Sequence, residues 1–433
     1  MYLAIFKCER NCLCLKIEII NTGSELMLGR VLNTHQQWLC RQLADLGYVV
    51  DRQVAVADSG PAILSAVRQA LADSDLILVT GGLGPTSDDR TRDLLAELLG
   101  RKLREDASVL ANIERFFTHR KRPMPATTRV QAQIPEGALV LANAHGTAPG
   151  LALELSPNPF RADRKPSWLI MLPGPPRELR PMFTQQVVPL LRAQFPLSTP
   201  FVCRTLKTTG IGESLVEEKI AGPLQALVES GLEIGYCARV GEVDVRLVAT
   251  GPDAVEKVKT AEQIVRTAVG HHVFGVEDDE LEAVLVRLLA ERKQTLAVAE
   301  SCTGGRIADR LTNVPGASAV FRCGLVTYSN EAKMTFLGVR QETLAAHGAV
   351  SEAVAHEMAE GARQRSGADY ALAVTGIAGP GGGTAEKPVG TVFIALATAT
   401  RTVVLNPMNP YDRETFKFVT SQQALELLRR TLG

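Results

Sequence analysis

The feature that most constrains the fold is a regular alternation of strand-length apolar runs with amphipathic helical patterns. The runs at 16–23 (KIEIINTG) and 75–82 (DLILVTGG) have the length and composition of buried strands. Between them, residues 33–47 and 61–74 carry apolar side chains at helical spacing. Such alternation is typical of a mostly parallel sheet that helices cover on both faces. It predicts an α/β fold for this part of the chain.

A similar alternation resumes at about residue 280, after a region with a different pattern. Residues 200–275 read as a strand, a helix, two strands joined near Gly241, and another helix. A chain of 433 residues is also too long for one ordinary core. We therefore predict an α/β protein in which two α/β domains with open, mostly parallel sheets flank a small α+β middle module. The predicted bounds are 1–15 for a disordered extension, 16–185 for the first domain, 186–276 for the module and 277–433 for the last domain.

Charge and apolar content exclude several classes of function. Lys+Arg and Asp+Glu are both 47, and we find no basic stripe with interleaved aromatics, so we expect no direct nucleic-acid partner. No apolar run approaches the roughly 20 residues of a membrane-spanning helix, and no secretory leader is evident, so we expect no membrane partner. The cysteines beyond Cys14 are scattered, which favours a reducing, cytoplasmic location. Cys8, Cys12 and Cys14 lack a further pair at zinc spacing, so we expect a tail there and not a metal site.

Polar side chains follow three predicted strands of the C-terminal region. Ser301 ends one strand, Tyr328 and Lys333 follow the next, and Thr375 ends a third. Ligands of open α/β sheets bind beyond the carboxyl ends of the strands, so these groups should meet at one edge. Ser301 taken alone has a simpler interpretation as the N-cap of the following helix. The convergence favours a nucleophile instead, and we expect Ser301 to be the nucleophile and also to cap its helix.

A serine nucleophile needs a base and an environment for developing negative charge. Lys333 can serve as the base if burial lowers its pKa, with Tyr328 relaying or orienting the proton, although the simplest interpretation of Lys333 alone is a solvated surface lysine. The turn Thr303-Gly304-Gly305 should expose backbone N–H groups beside a helix N-terminus, which suits an anion. Cys302 is adjacent to the nucleophile, but we expect a buried and inert thiol.

A second group of candidate residues lies in the first predicted domain. The stretch GGLGPTSDDRTRD follows a buried strand and opens a helix. Four of its residues suit a ligand site, namely Gly81, Gly82, Asp88 and Asp89. Glu25 and Asn33 follow the first strand. Glu25, Asp88 and Asp89 together offer oxygen ligands for a divalent cation. The alternative is a tight turn followed by acids that cap the helix.

The C-terminal motifs resemble one known family. AESCTGG, VPGASAVFRCGLVTYSNEAKMTFLGV, GIAGPGGG and EKPVGTVFIALA are similar to the CinA C-terminal domain, the nicotinamide mononucleotide deamidase family, over nearly all of 280–430. The resemblance implies hydrolysis of nicotinamide mononucleotide to nicotinic acid mononucleotide and ammonia, without a metal or other cofactor. It implies Ser301 as nucleophile, Tyr328 and Lys333 as activating partners, and Thr375 and Gly376 as substrate contacts. It also suggests a homodimer.

One stretch departs from that family pattern. The family usually has Gly-Asp-Arg followed shortly by another Arg, whereas this chain has Tyr411-Asp412-Arg413 and then Lys417. Arg413 keeps the place of the functional arginine, which suits the phosphate or the carboxamide end of the substrate. Tyr411 in place of glycine changes the expected shape of the loop.

The N-terminal motifs resemble the CinA N-terminal domain, which is similar to the molybdopterin-binding MoaB/MogA fold, over about 16–185. In such chains this domain is associated with metal-dependent hydrolysis of ADP-ribose, which fits the predicted divalent cation. The motif does not separate that activity from pterin binding. Two alternatives to the amidase therefore stand: a molybdopterin-binding protein, and a competence or DNA-damage adaptor without deamidase activity.

Overall fold

The computed structural model describes residues 15–433, which divide into two compact units between Phe201 and Val202. Cys8, Cys12 and Cys14, with all but the last residue of the predicted extension 1–15, lie outside the described residues. In the part described, no helix is both long enough and apolar enough to cross a membrane.

The first unit contains eight strands and seven α-helices among its described residues. The strands are Ile17–Thr22 (β1), Arg52–Val56 (β2), Leu76–Thr80 (β3), Leu103–Glu105 (β4), Gln133–Pro135 (β5), Leu139–Leu141 (β6), Gly150–Leu155 (β7) and Ser167–Leu172 (β8). The helices are Ser24–Met27 (α1), Thr34–Asp45 (α2), Gly60–Asp73 (α3), Thr91–Leu98 (α4), Ala107–His119 (α5), Pro176–Met182 (α6) and Val188–Gln194 (α7).

The main sheet of this unit has the order β2-β1-β3-β8-β7-β6. Strands β2, β1, β3 and β8 are parallel, and β7 and β6 run antiparallel to them. Successive residues of one strand pack into different cores, with Ile19 in one cluster and Ile20 in the other. Helices thus cover both faces, and the predicted α/β fold is confirmed. Leu191 of α7 is buried in one of these cores, so the unit extends past the predicted boundary at residue 185.

The second unit combines the predicted middle module with the C-terminal region. Its strands are Phe201–Thr209 (β9), Glu233–Arg239 (β10), Glu242–Thr250 (β11), Val273–Val276 (β12), Leu296–Glu300 (β13), Phe321–Val326 (β14), Tyr370–Gly376 (β15), Val392–Ala397 (β16) and Thr402–Leu405 (β17). Its helices are Glu213–Glu229 (α8), Ala254–Val269 (α9), Leu281–Arg292 (α10), Arg306–Thr312 (α11), Asn330–Ala332 (α12), Gln341–His347 (α13), Glu352–Ser366 (α14) and Arg413–Leu432 (α15).

The module is a four-stranded sheet, β10-β11-β9-β12, with α8 and α9 packed on an apolar core of its own. Strands β10 and β11 form the predicted hairpin, and Gly241 at its turn has φ 81°, which favours glycine. Gln422 of α15 donates hydrogen bonds to Thr209 and Glu242 of the module. These buried polar contacts tie the module to the C-terminal helix within one unit.

The C-terminal sheet has the order β14-β13-β15-β16-β17, with β14, β13 and β15 parallel and the last two strands antiparallel. One face presents small side chains, such as Ala297 and Ala371, to α14. A Cβ on Gly361 of α14 would lie 1.8 Å from the carbonyl oxygen of Leu337, so only glycine permits this close approach. That approach fixes the π-helical turn Lys333–Leu337, which continues α12, against the rest of the domain.

Candidate active site

Ser301 and Lys333 meet at the carboxyl edge of the C-terminal sheet. Ser301 directly follows β13, where its backbone N–H donates to the carbonyl of Val374 on β15. Lys333 follows α12, a short helix that Ser329 caps by accepting from the N–H of Ala332. The Lys333 Nζ lies 3.0 Å from the Ser301 Oγ. The predicted convergence therefore places an amine in hydrogen-bond contact with the serine hydroxyl.

The burial of Lys333 shifts its amine toward the uncharged form. Its side chain is 1% exposed and forms no ion pair with any described residue, and burial lowers its pKa. Nζ also lies 2.8 Å from the carbonyl oxygen of Thr327 and 3.4 Å from that of Tyr328. A carbonyl oxygen can only accept, so these two oxygens take the two N–H groups of a neutral amine. The lone pair is then left for the proton of Ser301.

Ser301 does not cap the helix that follows it, which corrects one sequence prediction. Helix α11 begins at Arg306, with Gly305 at the N-cap position. The carboxylate of Glu300 takes the place of a capping side chain, since it accepts from the backbone N–H groups of Gly305, Ile307 and Ala308 at 3.0, 3.1 and 2.9 Å. The Ser301 hydroxyl is thereby free of a capping role.

The glycine turn does not provide the predicted anion site in full. The N–H of Gly304 donates to the Ser301 carbonyl, and the N–H of Gly305 is held by Glu300. Gly304 and Gly305 have φ values of 61° and 95°, so glycine is needed here for the shape of the turn. Among the described residues, no backbone carbonyl accepts from the N–H groups of Cys302 or Thr303. Both lie against the Cys302 sulfur, where they partly offset the effect of burial on the pKa of that thiol.

Cys302 is 5% exposed, and burial raises the pKa of its thiol to about 12. The reactive thiolate is therefore almost absent at neutral pH. The expectation of an inert neighbour agrees with this environment.

We expect iodoacetamide at pH 8 to leave Cys302 unmodified in the folded protein while it alkylates Cys237, which is exposed. Peptide mass spectrometry measures both sites in one sample, and the same reagent in denaturant controls for detection of each peptide. Alkylation of Cys302 at the rate of Cys237 in the folded protein would contradict the buried, protonated thiol.

Tyr328 contributes differently from the sequence prediction. Its side chain is 62% exposed, and the phenol oxygen accepts from the Arg413 guanidinium at 3.0 Å. Only its backbone carbonyl reaches Lys333. The predicted proton relay through the phenol is therefore not formed. Arg413 also donates to the carbonyl of Gly379 at 2.9 Å, so the phenol and the glycine-rich loop together orient this guanidinium.

For Tyr328→Phe we expect KM for the substrate to rise about three- to tenfold, because Arg413 loses one hydrogen-bond partner. The pH midpoint of kcat should stay at the wild-type value, since the Tyr328 carbonyl still accepts from Lys333. Steady-state kinetics across pH measure both quantities. A shift in the pH midpoint of kcat with KM unchanged would instead support a proton relay through the phenol.

A cavity of about 210 Å³ opens on the Ser301 hydroxyl. Its lining residues are Ser301, Cys302, Tyr328, Lys333, Ala349, Val350, Thr375, Gly376, Ala378 and Arg413. Thr375 is 1% exposed and donates to the carbonyl of Ala349, which leaves its oxygen able to accept. Of the predicted site residues in this domain, Thr303, Gly304 and Gly305 do not line the cavity. Ala349, Val350 and Ala378 were not predicted from the sequence, because small apolar side chains do not indicate a binding site.

The departure at Tyr411 lies outside the cavity. Tyr411 is 48% exposed and does not line it, while Asp412 caps α15 by accepting from the N–H groups of Glu414 and Thr415. The cap directs Arg413, the first residue of α15, toward the cavity. One turn later, the Lys417 Nζ lies 3.8 Å from the position that a Cβ on Gly304 would take. Two cations of α15 thus lie beside the turn that carries Ser301.

The first unit does not form the predicted metal site. Asp89 accepts from the N–H of Thr86 within its own turn, and Asp88 is exposed. In the region covered by the structure, no group of three or more His, Cys, Asp or Glu side chains is arranged to hold a metal ion. Glu25, Asp88 and Asp89 therefore do not fit a preassembled ligand set. Asp88 and Asp89 interact instead with Thr86 of their own turn.

The remaining predicted residues of this unit have structural contacts. Asn33 caps α2 by accepting from the N–H of Gln36 and donates to Asn21. Gly81 and Gly82 have φ values of 96° and 66°. A Cβ on Gly82 would lie 2.0 Å from the Thr91 Oγ, which shows how closely the turn packs on α4. These contacts match the alternative of a tight turn with caps at the carboxyl edge of the sheet.

Comparison with known proteins identifies the family. A CinA-like protein of Akkermansia muciniphila is 45% identical over 414 residues, which are 95% of this chain and 96% of that one. The chain belongs to the CinA family. Another CinA-like protein, from Gemmatimonas aurantiaca, is 42% identical over 422 residues and 96% of each chain.

Family models divide the CinA chain in three. The CinA C-terminal domain matches residues 278–432, the "Probable molybdopterin binding domain" matches 18–193, and the damage-inducible protein CinA KH domain matches 203–275. Among solved structures, the competence/damage inducible protein CihA of Agrobacterium tumefaciens is 43% identical. It covers 36% of this chain and 96% of its own, with a TM-score of 0.34. The family models and the CinA-like relatives confirm the resemblance to the CinA family, including its molybdopterin-binding-type first domain.

Proposed function

We propose that the C-terminal domain is an amidohydrolase that converts nicotinamide mononucleotide to nicotinic acid mononucleotide and ammonia. One observation carries the proposal: a buried lysine amine, without an ion-pair partner among the described residues, lies 3.0 Å from a serine hydroxyl that lines a cavity of about 210 Å³. This is the serine–lysine version of nucleophile activation. The family resemblance supplies the substrate class.

In the first step, the Ser301 Oγ attacks the carboxamide carbon while its proton passes to the Lys333 Nζ. The carbonyl oxygen becomes the oxyanion of a tetrahedral intermediate. The C–N bond then breaks, and Lys333 returns the proton to the leaving nitrogen. Ammonia departs, and the nicotinoyl group remains on Ser301 as an ester.

In the second step, water attacks the ester carbon and gives its proton to Lys333. The bond to the Ser301 oxygen breaks, and the serine recovers its proton from Lys333. The acid product leaves with the C–O bond formed by water. The carbonyl oxygens of Thr327 and Tyr328 accept from the ammonium that exists between proton transfers, which limits the cost of a buried charge.

The cavity walls fit the rest of the nucleotide. The Thr375 oxygen is placed to accept from the carboxamide nitrogen, and Ala349, Val350 and Ala378 give the pyridine ring an apolar surface. Gly376 allows the end of β15 to pack closely on the next strand, since a Cβ there would lie 2.8 Å from the carbonyl of Thr391. Arg413 and Lys417 suit the phosphate.

The test is incubation of the full chain with nicotinamide mononucleotide, with ammonia measured enzymatically and nicotinic acid mononucleotide by chromatography. We expect both products in equal amounts, and slower turnover of nicotinamide riboside, which lacks the phosphate. A folded protein that forms neither product would refute the proposal.

For the first unit we propose hydrolysis of ADP-ribose, supported by the glycine turn at the carboxyl edge of its parallel sheet. Among the described residues, the predicted carboxylates form no preassembled set of metal ligands. Release of AMP from ADP-ribose, lost with EDTA and restored by Mg²⁺ or Mn²⁺, would support a divalent cation. Binding of a pterin without any hydrolysis would favour the molybdopterin-binding alternative.

The adaptor alternative has one supporting observation. Arg120, Lys121 and Arg122 form an exposed basic run after α5, and the Arg120 guanidinium lies 3.6 Å from the centroid of the Phe116 ring. Sequence analysis did not recognise this combination of cations and an aromatic ring. Retention on single-stranded DNA that falls with salt and is lost when the three cations become alanine would support the adaptor function.

A further inference from the structure

Glu300 is a buried carboxylate that no step of the proposed reaction uses. Its side chain is 0% exposed, and it forms no ion pair with any described residue. A charge in such a position is costly unless hydrogen bonds compensate it. The compensation comes from the backbone N–H groups of Gly305 and Ile307 on Oε2 and of Ala308 on Oε1. One carboxylate therefore satisfies three N–H groups at the start of α11.

We infer that Glu300 is a positioning residue that holds the Ser301 oxygen at its attack distance. This inference rests on the proposed amidohydrolase function. Ser301 is joined on one side to Glu300 and on the other to the turn that Glu300 binds. The carboxylate closes a loop around residues 301–304, so those residues cannot shift unless a buried hydrogen bond breaks.

Glu300→Gln tests this directly, because a carboxamide has one acceptor oxygen and an NH₂ group that can only donate. At least one of the three backbone N–H groups then loses its acceptor and faces another donor. We expect kcat to fall by about 100-fold, as for a misplaced nucleophile, while KM changes by less than about threefold. The pH midpoint of kcat should not move, since Lys333 keeps its partners.

Glu282→Gln is the matched control. Glu282 is a largely buried carboxylate that binds the same helix α11 through Arg310, but it does not contact the turn that carries Ser301. We expect its kcat within about twofold of wild type, with melting temperatures recorded for both variants. Equal loss of kcat in the two variants, or wild-type kcat in Glu300→Gln, would overturn the positioning role.

Ala308→Pro approaches the same contact from the donor side and serves if Glu300→Gln does not fold. Proline is tolerated in the first turn of a helix and removes the N–H that donates to Oε1. We expect kcat to fall by about tenfold with KM unchanged. Wild-type kcat in this variant would refute the inference.

A readout without the substrate separates this inference from the proposed function. A fluorophosphonate forms a Ser301 Oγ–phosphorus bond and releases fluoride, and the rate is followed by intact mass. If the wild type releases no ammonia but is labelled at Ser301, the proposed substrate is wrong while the role of Glu300 is still measured. Labelling of Glu300→Gln should then be slower by about 100-fold. An equal labelling rate would refute the positioning role.

Discussion

Ser301→Ala should reduce ammonia release from nicotinamide mononucleotide by at least about 10³-fold, which is the scale for loss of a covalent nucleophile. The Ser301 Oγ is the one atom of the proposed reaction that both attacks the carboxamide and holds the acyl group. Removing it leaves Lys333 with a lone pair and no group to activate. Substrate binding should be retained, since the cavity walls do not change.

Cys302→Ala discriminates between the two adjacent nucleophile candidates. Its thiol has a pKa raised to about 12 by burial, so we expect this variant to keep at least about one tenth of the wild-type kcat. Calorimetric titration with the nucleotide confirms binding by Ser301→Ala. If activity were lost in Cys302→Ala and kept in Ser301→Ala, the nucleophile would be Cys302 and the proposed role of Ser301 would be wrong.

The rate should rise with pH through the pKa of Lys333 and reach a plateau, because only the neutral amine accepts the serine proton. Burial lowers this pKa from the ordinary value of 10.5, so the midpoint lies below 10.5. Lys333→Arg places a guanidinium there that stays protonated at every pH tested. We expect at least about a 10³-fold loss of kcat for that variant, without recovery at high pH.

Lys417→Arg is the control for this profile, since it keeps a cation beside the cavity mouth and should leave the pH midpoint of kcat unchanged.

The stability of the protein should change with pH in the same direction as the rate. Where the native state holds Lys333 neutral and the unfolded chain protonates it, the unfolded state binds more protons, so the free energy of unfolding rises with pH. Lys333→Met should flatten that rise. A pH profile of kcat with no midpoint below pH 10.5 would contradict the role of neutral Lys333 as the base.

The sequence predicted the convergence of Ser301, Lys333 and Thr375 because parallel strands end at a common edge. It could not predict the burial of Lys333. That burial depends on the close packing of α14 at Gly361 against the Lys333–Leu337 turn, which is a tertiary contact. The direction of the Tyr328 side chain was likewise out of reach, because its phenol and its carbonyl serve different partners.

Glu300 and the metal site illustrate opposite errors. Glu300 was overlooked because an acid at the end of an apolar strand resembles an ordinary exposed position, and its three N–H partners follow five to eight residues later. Asp88 and Asp89 were expected to share a cation with Glu25, and among the described residues no such preassembled group is present. Spacing along the sequence indicates which loops lie near each other, but the directions of the side chains decide whether their carboxylates can bind the same cation.

The most direct measurement is the partitioning of products from nicotinamide mononucleotide in the presence of hydroxylamine. A nicotinoyl ester on Ser301 can be attacked by water or by hydroxylamine, whereas ammonia has already departed. We predict that ammonia will equal the sum of nicotinic acid mononucleotide and the hydroxamate, with the hydroxamate share rising with hydroxylamine concentration. Ammonia equal to nicotinic acid mononucleotide alone at every concentration, or no ammonia at all, would contradict the serine–lysine mechanism.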